Sequence, residues 1–172
     1  MVTLRFKKTL EGHATLTLIR SDGSSAATSI GSADGFGPMH DLAHVVVERQ
    51  LVLPGALLGR VAQGDSLQSY NDPLAGRIGP DAVRAEAVAG LLSLEVLTGR
   101  HLKLEAFNDA VQDRCAEMRP GYRAPDLSPT ALHAMRAELA SLRREWEALE
   151  PGAALELRFG PRGGAGVASV ST

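Results

Sequence analysis

Aromatic side chains are scarce in this chain: one Trp, two Tyr and four Phe make up 4% of its 172 residues. Leu, Val and Ala must therefore build the core. Cysteine is scarcer still. Cys115 stands alone, which excludes an internal disulfide and a cysteine-based zinc finger. Such usage suits a reducing compartment, so the cytoplasm is the expected location. No run approaches the roughly 18 apolar residues of a membrane span, and none is expected. Met1 to Lys8 alternate polar and apolar and lack the apolar stretch of a secretory signal. An excess of one charge is missing too, since 18 Lys and Arg face 20 Asp and Glu for a net charge of −2. Broad electrostatic capture of nucleic acid or an anionic membrane is not expected.

What is present, 44% apolar and 22% charged residues, is the composition of an ordinary globular domain. We expect one domain over residues 1–160 and a flexible Gly/Ser/Ala-rich tail over 161–172. The start reads as strands. Val2, Leu4 and Phe6 alternate with Thr3, Arg5 and Lys7, and Ala14, Leu16 and Leu18 alternate with Thr15, Thr17 and Ile19. Leu10-Glu11-Gly12 and Ser21-Asp22-Gly23-Ser24 are turn signals, and 26–30 suits a third strand. A Gly/Ser/Asp loop over 31–37 leads to Pro38, which fits the first turn of a helix over about 38–50. Its expected apolar arc is Met39, Leu42, Ala43 and Val46, with Val47 at the rim.

Further along, 51–63 has room for a short helix and 64–79 is a loop. Pro80-Asp81 opens a helix whose buried stripe should be Val83, Ala87, Leu91, Leu94 and Leu97, closed by Gly99. Another helix is predicted over about 102–118. Ser128-Pro129 is an N-cap followed by proline at the first position. Leu132, Met135, Leu139, Leu142, Trp146 and Leu149 then recur at spacings of 3 and 4 and form an apolar seam. At under three heptads, this seam fits intramolecular packing at least as well as a homodimer through residues 129–149. Leu155, Leu157 and Phe159 mark a last strand that should join the N-terminal sheet. The expected fold is α+β, a small antiparallel sheet covered by four or five helices.

Potential chemistry concentrates in one place. His40, His44 and Glu48 are four residues apart and share a helical face. Imidazoles at i and i+4 are a common helical pair of metal ligands, about 6 Å apart along the axis. A divalent transition metal such as zinc is the expected cofactor. Glu48 lies about 12 Å along the axis from His40, too far for easy direct ligation. It is better placed to orient His44 through a ring N–H. A third ligand must then come from another element, with His101, His133, Glu95 and Glu105 as candidates. The competing reading is structural: His44 pairs with Asp41 and Glu48 along the helix, while His40 sits near the helix N-terminus.

His40-Asp41-Leu42-Ala43-His44 resembles the His-Glu-x-x-His motif of zincin metalloproteases. That resemblance implies two metal-binding histidines and assigns Asp41 the role of general base, one methylene shorter than the usual Glu. Gly64-Asp65-Ser66-Leu67 spells the nucleophile block of GDSL esterases. The downstream Asp-x-x-His of that family is missing, so chance is the better account. His40, Asp41, Leu42, His44, Val47 and Glu48, followed by Gly55 and Gly59, resemble a family of small bacterial proteins of uncharacterised function. That resemblance covers about the first 65 residues and implies a soluble bacterial protein without supplying an activity. The leading expectation is a metal-binding protein, with hydrolysis as the reaction class. The rival is a non-catalytic interaction or dimerisation module.

Overall fold

A computed structural model describes residues 1–9, 13–30, 36–66, 79–160 and 170–171. Strands β1 (Val2–Lys8), β2 (Ala14–Arg20) and β3 (Ser25–Ile30) form an antiparallel meander. After five helices, β4 (Ala154–Phe159) returns to pair antiparallel with the free side of β1. A short β5 (Val170–Ser171) extends the sheet, giving the order β3-β2-β1-β4-β5. It comes from the stretch read as a tail; the remainder of that stretch, the Leu10–Gly12 turn and residues 31–35 of the Gly/Ser loop lie outside the described residues.

Strand periodicity sets the buried face. Leu4 stands opposite Leu18 and Leu157, and Phe6 stands opposite Leu16 and Leu155. All six side chains are buried. The other face carries Arg5 and Glu156, opposite each other with Nε to Oε1 3.5 Å. One apolar face on an antiparallel sheet needs a cover, and the helices supply it.

The helices are α1 (Phe36–Gln50), α2 (Leu57–Ala62), α3 (Pro80–Thr98), α4 (Leu104–Met118) and α5 (Pro129–Ala148). Their ends follow local chemistry. The Ser128 hydroxyl accepts a hydrogen bond from the Ala131 N–H at 3.1 Å and so caps α5. Gly99 closes α3 in the left-handed region, φ 67°. Val52, just past α1, adopts the same region at φ 51°. A β-branched residue is strained there, and its side chain is 70% exposed. Val52→Gly should therefore stabilise the protein by about 1 kcal/mol. Urea denaturation would check this; an unchanged or lower midpoint would show that the strain is relieved elsewhere.

Two sequence expectations need correction. α1 is not a one-sided amphipathic helix. Val45, Val47 and Glu48 are buried along with Met39, Leu42, Ala43 and Val46, because α1 packs against both α3 and α5. The stripe of α3 also differs from the one read from spacing. Val83, Ala87 and Leu91 are buried, but Leu94 and Leu97 are 40% and 37% exposed. Leu92 and Glu95 face inward instead. Burial of Glu95 is possible because Arg136 of α5 forks onto it, Nε to Oε2 2.8 Å and Nη2 to Oε1 2.6 Å.

The six residues of the α5 seam are all buried in the chain's own core. Within the chain the seam packs α5 on α1. No described helix is long and apolar enough to cross a membrane.

Candidate metal centre

α1 presents His40 and His44 one turn apart on the side that meets α3. α3 is built there from small residues, Ala85, Ala87, Ala89 and Gly90, all but Gly90 at 1% exposure or less. Small side chains let the two helix backbones approach closely. Glu86 sits at the edge of this contact and reaches across to both rings. Its Oε1 lies 3.4 Å from His40 Nε2 and its Oε2 lies 3.1 Å from His44 Nε2. The rings are edge-on to each other, with centroids 4.8 Å apart and planes at 80°. Phe36 stacks on His40 at 5.4 Å and 16°, which fixes that ring from the other side.

One ligand-type atom from each of His40, His44 and Glu86 therefore falls within 4.8 Å of the others. Two donors on one tetrahedral zinc ion stand about 3.3 Å apart. The two His–Glu distances bracket that value, while the trio as a whole spans up to 4.8 Å, so the two rings must draw together to share one ion. The donor set, two imidazoles and a carboxylate, suits a borderline transition metal. The histidine side chains are 20% and 16% exposed and Glu86 is 48% exposed, so the cluster opens to solvent on the Glu86 side.

Glu48 lies on the opposite side of His44. Its carboxylate is buried, 1% exposed. Oε2 accepts hydrogen bonds from the backbone N–H of Leu58, 2.8 Å, and of Gly59, 3.1 Å, in the first turn of α2. Oε1 lies 3.5 Å from His44 Nδ1, and neither of those atoms has a closer hydrogen-bond partner. Gly59 is required at this point, since a Cβ there would come within 2.5 Å of the Leu53 carbonyl oxygen.

The charges follow from this arrangement. Burial disfavours the His44 cation, but Glu48 and Glu86 on its two sides outweigh that and raise its pKa to about 9. Hydrogen bonds from His40, then His44, hold the Glu86 carboxyl well below the usual carboxylate range.

The sequence reading named His40, His44 and Glu48 as the metal face and Asp41 as base. His40 and His44 converge on Glu86. Glu48 stands at the far ring nitrogen of His44 and outside the converging trio. Asp41 is half-buried on α1 and also outside it. The four residues considered for the third position lie elsewhere. Glu95 is taken up by Arg136 and by the Leu102 N–H, 2.8 Å. His101 is beside Glu95 at 3.8 Å, and His133 and Glu105 are exposed. Glu86 was missed. Its signal was faint: a lone carboxylate at the rim of the apolar run Ala87 to Leu92. Asp65 of the GDSL-like block pairs with Arg60 Nε at 2.6 Å; Leu67 lies outside the described residues. Cys115 is fully buried, and burial pushes its thiol pKa up, which suits packing and not nucleophilic chemistry.

No family model, curated protein or solved structure matches this chain.

Proposed function

We propose that the protein binds one divalent transition metal, with zinc as the first choice, through His40 Nε2, His44 Nε2 and a Glu86 carboxylate oxygen. The observation that carries this reading is the convergence of those three donors from two helices within 4.8 Å. Three protein ligands leave a fourth tetrahedral position open, the pattern of catalytic zinc sites. When bound, the metal would supply Lewis acidity at that position, which suits hydrolysis. Phe36 holds the His40 ring, and the solvent-facing side of Glu86 is the route of entry.

Metal analysis of protein made without a polyhistidine tag tests the reading. Wild type should carry or take up close to one equivalent of zinc. The double substitution His40→Ala, His44→Ala should reduce it to background, and Glu86→Gln should weaken it, with circular dichroism confirming that each variant is folded. Equal zinc content in the wild type and the folded double variant would remove the proposal.

A further inference from the structure

We infer that Glu48 is the positioning residue of this site and that it links metal binding to the docking of α2. The inference rests on the metal reading above. Glu48 is a buried carboxylate with two separate engagements. One oxygen holds the Leu58 and Gly59 N–H groups. The other faces His44 Nδ1 at 3.5 Å, and both of those atoms are buried and otherwise unbonded. Among the described residues, His44 is the cation this carboxylate meets. A buried carboxylate without a counter-charge is strongly disfavoured.

The two ring nitrogens of His44 thus have divided tasks. Nε2 points at Glu86 and His40, the proposed metal position. Nδ1 points at Glu48. A carboxylate can only accept, so it fixes a proton on Nδ1 and leaves the Nε2 lone pair for a metal. A metal on Nε2 makes the ring a stronger Nδ1–H donor toward Glu48. The metal takes the place of a proton on Nε2 and keeps the Nδ1–H directed at Glu48, whose other oxygen holds the first turn of α2. By linkage, whatever favours the docked α2 favours metal, and metal favours the docked α2. Beneath it Gly59 closes on the backbone of Leu53 and Pro54, where a Cβ would not fit.

Glu48→Gln separates this role from a purely structural one. The Gln carbonyl oxygen can still accept from Leu58 and Gly59. Its amide N–H₂ then donates to His44 Nδ1, which drives the ring proton onto Nε2 and blocks ligation. Two measurements on the full-length protein decide the matter. First, zinc titration should show about a ten- to hundredfold loss of affinity in Glu48→Gln, the range for lost outer-shell partners. Second, amide hydrogen exchange at Leu58 and Gly59 should slow in wild type on zinc saturation and stay unchanged by zinc in Glu48→Gln. Wild-type zinc affinity in the folded variant overturns the inference and leaves the metal site standing. Should the variant not fold, the wild-type exchange arm decides alone: zinc bound with no change at those two amides overturns it. A wild type that takes up no zinc overturns the metal reading itself.

Discussion

Leu139→Asp should remove most of the chain's stability. Leu139 has 0% exposure at the middle of the α5 seam, between Met135 and Leu142 and against α1. The substitution removes a buried isobutyl group and inserts an acid with no partner. The combined penalty is on the order of 4–5 kcal/mol, comparable to the 5–15 kcal/mol that holds a typical domain together. Circular dichroism and urea denaturation should show lost or strongly weakened structure under conditions where the wild type is folded. The result also bears on the rival reading of the seam as a dimer contact. An interface residue, once made polar, leaves a folded monomer. Light scattering that found a dimeric wild type and a folded monomeric Leu139→Asp would show that α5 faces another copy.

Without metal, stability should fall as pH rises from about 6.5 to 9. The sign follows from His44. Its pKa is raised from 6.5 when unfolded to about 9 when folded. The folded state therefore holds a proton that the unfolded state releases first. The resulting stabilisation is full below about pH 6.5 and is lost as pH climbs through about 9. Its size is on the order of 2–3 kcal/mol, from 1.36 kcal/mol per unit reduced for mutual coupling within the cluster. Glu86 shares this interaction and adds no separate amount. Urea denaturation in a chelator at pH 6, 7.5 and 9 would measure it, with His44→Gln expected to flatten the profile. Saturating zinc should weaken or reverse the trend, because a metal competes with the His44 proton and binds better as pH rises. A chelated wild type equally stable at all three pH values would show that His44 carries no excess proton in the folded state.

Local signals located most of the framework. Ser128 and Pro129 mark the start of α5 because a hydroxyl acceptor and a missing N–H suit a helix N-terminus wherever it lies. Gly99 marks the end of α3 because a left-handed residue is needed there. Alternation in Val2 to Phe6 and Leu155 to Phe159 gave two strands, and their shared apolar parity let them face one core. The reading failed where a helix is apolar around much of its circumference. Ala87 to Leu92 offers no polar side to set the rotation of α3, so Leu94 and Leu97 looked as buried as Leu92. The choice fell to Arg136, 41 residues away in sequence, which makes inward burial of Glu95 tolerable.

By itself the chain determined its elements, its class as an antiparallel sheet under helices, and the presence of His40 and His44 one turn apart. These depend on periods of two and 3.6 residues and on end-capping groups, which are local properties. Only tertiary packing decided that Glu86 closes the trio and that Glu48 turns away to α2. Both outcomes depend on the close approach of α1 to the small-residue face of α3, and on the fold of Leu53 to Gly59 back over α1. Such distances come from the fit of whole surfaces, and no short window of sequence carries them.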